Sequence, residues 1–294
     1  NMKLVIHMGL HKTGSTSFQN FLHFNKKSLL SVGILYPDID NNEESHWQLP
    51  HQLIRGNWTY LENYFNNALI FAKQKNLNTI FISSEDFAIM LTESFRVGKF
   101  ENLLINLGYK EIHWECVLRN QWDYFNSLYA EMSKHKICLN YALAGDEIIN
   151  FGEISMGNDF FRYRFAFDYD RYINKILKEI NGSFSVTAFE NFISKDFIGI
   201  DLITKYIDSS NDKEKFRKSE LVKEEKVNIR PDDNTIEIDY LANFLGIEMT
   251  QDIFEKNQSM FIPIIENRLG GIDLVYEDLK NRFMEKFPQT SKFL

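Results

Sequence analysis

Cysteine is almost missing from this 294-residue chain, which has only Cys116 and Cys138. Two thiols are too few for a disulfide framework or a zinc cluster, so the fold must rest on apolar burial, and a reducing cytoplasm fits. No run of 18 apolar residues occurs, so no membrane-spanning helix is expected. The N-terminal residues read as a buried strand rather than a secretory leader. A basic excess is lacking too. Lys and Arg total 33 against 41 Asp and Glu, a net charge of −8, which argues against non-specific nucleic-acid binding. No internal repeat or low-complexity segment is present. What the chain has in quantity is aromatic residues, 15% of the total with 26 Phe. Most belong in a core, and some are available to line an acceptor pocket. The length suffices for one large α/β domain or two small ones.

Apolar, β-favouring runs mark strands at Lys3–Met8, Thr79–Ser83, Ile112–Leu118 and Phe184–Ala188. Helical periodicity marks 15–30, 60–76, 94–107, 121–134, 168–180 and 198–207, with more helix over 235–294. Strands alternating with helices imply an α/β fold with a mostly parallel sheet. Residues 209–234 are charged and read as a solvated or mobile connection, with a lid over an active site as the functional alternative.

The first strand candidate breaks at Gly9 into His11-Lys12-Thr13-Gly14-Ser15-Thr16, and a helix follows. Strand, glycine-containing loop and helix N-terminus form an anion site, because backbone N–H groups and the positive end of the helix dipole point at one spot. Lys12 adds a cation; Thr13, Ser15 and Thr16 add hydroxyls. Gly9 and Gly14 have the spacing of the nucleoside-triphosphate loop G-x-x-x-x-G-K-[ST]. Ser15, however, stands where that loop places its lysine, and no apolar strand ends in an obvious Mg²⁺-binding Asp. An ordinary strand-to-helix turn with an incidental lysine is the bland alternative.

The order Lys-Thr-Gly-Ser-Thr at an N-terminal strand-loop-helix resembles the 5′-phosphosulfate loop of the sulfotransferases that use 3′-phosphoadenosine 5′-phosphosulfate (PAPS). The longer string His7-x-Gly9-x-His11-Lys12-Thr13-Gly14-Ser15-Thr16-x-x-Gln19 is similar to bacterial stand-alone members. A second element carries the resemblance further. Arg119 ends the strand Ile112–Leu118, where open α/β sheets bind ligands, and Ser127 follows eight residues later on a helix. This resembles the family's 3′-phosphate element, a guanidinium fork plus a hydroxyl; a surface ion pair and a capping serine are the bland alternative. The two motifs span the first 130 residues, and the remaining 160 match only weakly. The resemblance implies a three-layer, P-loop-like sulfotransferase fold over residues 1–294. It also implies a cofactor-binding set of His11, Lys12, Thr13, Gly14, Ser15, Thr16, Arg119 and Ser127, with no metal. The implied reaction moves a sulfuryl group from PAPS to a hydroxyl or amine of a glycan, lipid or small molecule, releasing 3′,5′-adenosine bisphosphate.

The chemistry calls for stabilisation of the leaving phosphate by Lys12 and the loop amides, and for a base on the acceptor. Glu85, just past the strand Thr79–Ser83, is one candidate for that base. It falls on the loop's edge of the sheet if the strands are parallel, although it could equally be an acid opening the next helix. His46 is the other candidate, since histidine titrates near neutral pH; His51 ranks below it. His7 lies inside the first strand and reads as a core histidine. Asn257-Gln-Ser259 is a weak addition to the nucleotide pocket. The competing functions are a Mg-ATP-dependent P-loop kinase and a non-catalytic nucleotide-binding protein.

Overall fold

The computed structural model describes residues 1–38, 44–157, 162–193, 196–223 and 230–288. Among these residues seven strands form: β1 (Lys3–Gly9), β2 (Ile34–Leu35), β3 (Thr79–Ser83), β4 (Glu111–Leu118), β5 (Glu153–Gly157), β6 (Arg162–Ala166) and β7 (Ser183–Ala188). Five of them make a parallel sheet in the order β2-β3-β1-β4-β7, while β5 and β6 form a separate antiparallel hairpin. The chain packs as two compact units. The first contains residues 1–119 and 170–223, and the second 120–169 and 230–288, among the described residues.

The first unit is α/β, with the parallel sheet flanked by helices. Side chains alternate across a strand, so each strand feeds two faces. On one face Val5, Phe81 and Val117 pack with Phe18 and Leu22 of helix Ser15–Phe24, Ile203 of helix Ile200–Thr204 and Phe216 of helix Ser210–Lys218. On the other, the ring of Trp114 meets Phe87 and Phe100, and Phe100 meets Phe65 of helix Trp58–Gln74. Strands covered on both sides read as continuous apolar runs, which is why β1 and β3 were visible in sequence, whereas β4 and the part-buried edge strand β7 were visible by their β-favouring residues. The two-residue β2 was not.

Several helices differ from the sequence expectation. The span 15–30 is two helices, because Asn25 interrupts it and turns its side-chain amide onto the Phe21 carbonyl at 2.8 Å. The charged stretch after 209 is partly a helix, Ser210–Lys218. Ser209 caps it, and the buried Phe216 anchors it. Val222 then donates its N–H to Asn25 Oδ1 at 2.9 Å. The remainder of the expected mobile segment, 224–229, lies outside the described residues.

A buried carboxylate holds the far side of this unit. Glu101, on helix Phe95–Leu107, is fully buried. It accepts from Trp114 Nε1–H at 2.7 Å and from the Asn181 and Gly182 N–H groups at 2.5 and 3.1 Å. Gly182 is required there, since a Cβ would sit 2.3 Å from the Ile112 carbonyl oxygen. One side chain thus joins a helix, β4 and the entry to β7.

The second unit is helical apart from the hairpin. Asn120 opens helix Gln121–Lys134 by accepting from the Trp122 and Asp123 N–H groups. Trp122 and Phe125 pack with Tyr141 and Phe283. A buried network ties three helices: Tyr129 and Arg268 both donate to Glu237, at 3.0 and 2.6 Å. No helix among the described residues is long and apolar enough to cross a membrane.

Replacing Glu101 by Ala removes the acceptor of three donors at once, the buried Trp114 indole and the part-buried Asn181 and Gly182 N–H groups. An unsatisfied buried donor costs about 1–3 kcal/mol. Glu101→Ala is expected to lower urea-unfolding stability by roughly 1–3 kcal/mol, and Glu101→Gln by less, because the amide keeps one acceptor. A loss within 0.5 kcal/mol would show that the carboxylate is not what closes this face.

Candidate functional site

The central strand β1 has parallel partners on both sides: Lys3 to His7 pair with β3, and Lys3 to Gly9 pair with β4. All three chains leave the sheet at the same edge. Strands are added on one side of β1 early in the chain and on the other side later, so the loop after β1 lies where that order reverses. This is where open α/β sheets bind ligands.

The loop is anchored to both neighbours. Leu10 donates its N–H to the Val117 carbonyl at 3.1 Å, and Ser84 donates to the His7 carbonyl at 3.1 Å. Lys12 takes a left-handed backbone conformation, φ 64°, which a non-glycine residue adopts only under constraint. Part of that constraint is visible: Arg119, directly after β4, donates from Nη1 to the Lys12 carbonyl at 3.0 Å while its guanidinium lies 4.8 Å over the Phe189 ring. Thr13 is buried and closes the turn, donating its hydroxyl to the Leu10 carbonyl at 2.6 Å. Its proton is thereby committed, so toward a ligand its oxygen can only accept. Gly14, at φ 75°, begins helix Ser15–Phe24 without a side-chain cap, and the first turn holds no acidic residue. Gly9 is required by the close packing of the turn: a Cβ there would meet Ser15 Oγ at 2.3 Å and Thr13 Oγ1 at 2.8 Å. The loop therefore presents an uncapped helix N-terminus, worth about half a positive charge, with Ser15 and Thr16 in the first turn and His11 and Lys12 in the preceding bend.

The end of β3 supplies acids. Ser84 caps the 3₁₀ helix Glu85–Leu91, so Glu85 and Asp86 open a helical turn as well as standing at the sheet edge. These two consecutive carboxylates have different partners. Glu85 accepts from Gln19 Nε2 at 2.8 Å, and Gln19 is a buried residue of the loop's own helix. Asp86 lies between two imidazoles, with His51 Nε2 2.8 Å from Oδ2 and His11 Nε2 3.5 Å from Oδ1. The structure thus brings Glu85, Asp86, Gln19, His11 and His51 beside the Lys12 loop. Asp86 and the Asp86–His51 contact escaped the sequence reading, in which Gln19 figured only as the last position of the motif string and without a role. The signal for Gln19 was a polar residue one turn beyond Ser15, on a helix face otherwise filled by Phe18 and Leu22.

His46 and His7 lie behind this edge. His46 is buried. Ser83 N–H donates to its Nδ1 at 3.2 Å, and the ring therefore carries its proton on Nε2, which donates to the Pro37 carbonyl at 3.0 Å. Burial pushes its pKa down to about 4. His7, also buried, pairs Nδ1 with Ser83 Oγ at 2.7 Å, stands edge-on to Phe18 and stacks on Phe192. Its Nε2 has no hydrogen-bond partner among the described residues, and burial pushes its pKa down to about 3. Ser83 thus ties both rings to β3. Arg119 belongs to the loop's unit. Ser127 is a buried residue of helix Gln121–Lys134 in the second unit. Asn257 precedes helix Gln258–Lys286 of that second unit.

Compared with protein-family models, curated proteins and solved structures, the chain matches none of them.

The two buried histidines set an acid limit on stability. Their folded pKa values lie below the unfolded value of about 6.5, so the folded state favours the neutral rings. Their contribution is complete above pH 6.5 and is lost as pH falls toward 4 and then 3. At pH 5 each ring removes about 2 kcal/mol. Urea midpoints measured from pH 7 to pH 5 should fall steeply, and His46→Gln should flatten the slope by about one proton. A slope unchanged in that variant would mean that His46 does not enter the fold uncharged.

Proposed function

We propose that this chain is a PAPS-dependent sulfotransferase acting on a hydroxyl or amine acceptor of a glycan, lipid or small molecule, on a P-loop-like arrangement. The observation that carries the reading is the loop after β1. Two glycines, a left-handed Lys12 and an uncapped helix N-terminus stand together at the carboxyl edge of a central parallel strand. Such a construction suits a phosphate-bearing ligand. The donor set fits the 5′-phosphosulfate, because the loop's backbone N–H groups and Lys12 supply positive charge. The donor molecule brings the sulfuryl group.

The residues divide the work as follows. The loop amides and Lys12 hold the 5′-phosphate and stabilise the electron pair left on its bridging oxygen as the bond to sulfur breaks. Glu85 takes the acceptor's proton as the acceptor oxygen or nitrogen bonds to sulfur. His46 is set aside as the base, because its free lone pair already receives Ser83 N–H. Arg119 steadies the loop through the Lys12 carbonyl and adds a cation at the strand end. The two cysteines, both free, suit a reducing cytoplasm.

Calorimetry with 3′,5′-adenosine bisphosphate tests the binding half directly. Binding is expected for the wild-type chain, weakened roughly 10- to 100-fold by Arg119→Ala, as for a lost charge-assisted hydrogen bond of about 1.5–3 kcal/mol. Turnover of PAPS should fall about 10²–10³-fold in Lys12→Ala and about 10²–10⁴-fold in Glu85→Gln. No bisphosphate binding, or Mg-ATP bound in its place, would overturn the reading.

A further inference from the structure

We propose that Gln19 is a positioning residue: it holds one oxygen of the Glu85 carboxylate so that the other is presented for proton transfer. The inference rests on the sulfuryl-transfer reading above. Its basis is geometric. Gln19 is 2% exposed and lies on helix Ser15–Phe24, one turn beyond Ser15. Residues four apart share a helix face, so the helix that begins at the phosphate loop directs a polar side chain at the end of β3. There Gln19 Nε2 donates to Glu85 Oε2 at 2.8 Å. An ionised carboxylate only accepts, which fixes the amide's orientation with nitrogen toward Glu85. Glu85 Oε1 receives no hydrogen bond among the described residues.

The arrangement has a mechanical consequence. A glutamate side chain at a half-exposed strand end samples several rotamers, and ordering it removes entropy that would otherwise burden the transition state. Because Gln19 and the loop share one rigid helix, the carboxylate is located relative to the loop that holds the leaving group. The neighbours of Glu85 do not perform this task. Asp86 is engaged with His51 and His11. The Tyr36 phenol donates to the Glu44 carbonyl at 2.5 Å, and burial together with the charge of Glu85 keeps it protonated.

The test uses the full chain with PAPS and water as acceptor, so that no acceptor need be identified, and follows bisphosphate release. Gln19→Leu is expected to lower kcat about tenfold while leaving the calorimetric Kd for 3′,5′-adenosine bisphosphate within twofold. In a Glu85→Gln background the same substitution should change kcat less than twofold, because the residue it acts through is already disabled. Gln19→Glu, which keeps the size but replaces the donor by an acceptor, should lose at least as much as Gln19→Leu at neutral pH. In the ligand-free chain the Gln19 side-chain amide protons should be protected from exchange, and Glu85→Ala should abolish that protection. A Gln19→Leu rate within twofold of wild type, or an undiminished further loss in the Glu85→Gln background, would overturn the positioning role while leaving the transfer reading standing. Failure of the wild-type chain to bind the bisphosphate would instead overturn the transfer reading, and the role of Gln19 with it.

Discussion

The pairing of β1 on both sides is the constraint on which the rest depends. A central parallel strand must have its neighbours' ends beside its own, and here they are the ends of β3 and β4. Backbone hydrogen bonds from Leu10 and Ser84 carry that pairing one step past the sheet. The loop is thus pinned from the left by residues 83–86 and from the right by residues 117–119. A loop fixed at both shoulders can sustain a strained left-handed Lys12, because neighbouring contacts over-determine its backbone.

Buried polar groups inside this unit secure several of its joints. Ser83 uses its backbone and its hydroxyl to hold His46 and His7. Glu101 performs the equivalent task for β4 and the entry to β7. Glu115 is buried in β4 and accepts from the Tyr206 phenol. Buried polar groups stabilise only when they are paired, and these are paired with elements distant in sequence. That explains why a histidine that looks like chemistry in sequence is a joint in space. That residue is His46: its ring is neutral, enclosed and bonded through both nitrogens.

Much of the architecture was legible beforehand. Strands β1 and β3 stand out because helices cover both faces, leaving uninterrupted apolar runs such as Leu4–Ile6 and Ile80–Ile82, while β4 and the part-buried edge strand β7 stand out by their β-favouring residues. The loop was legible because Gly9, Lys12 and Gly14 announce a strand-to-helix turn. The β5–β6 hairpin and β2 were not, since short segments carry too little periodicity to register. Glu85 was found as an acid at a strand end. That its partner is Gln19 while the next residue, Asp86, pairs with His51 and His11 could not be read from adjacent letters. Partners drawn from 66, 35 and 75 residues away leave no local signature.

The sequence by itself determined the four longer strands of the parallel sheet, the alternation of strands with helices, and a glycine-containing strand-to-helix turn near the N-terminus. These follow from local propensity and hydrophobic period, which act over a few residues. Tertiary structure alone decided that Glu85 stands at the loop's edge of the sheet while His46 is enclosed behind it, that Gln19 bonds Glu85, and that Arg119 reaches the loop carbonyl. Those outcomes depend on the register between β1, β3 and β4. Register sums many weak contacts across the sheet, and no single stretch of chain encodes it.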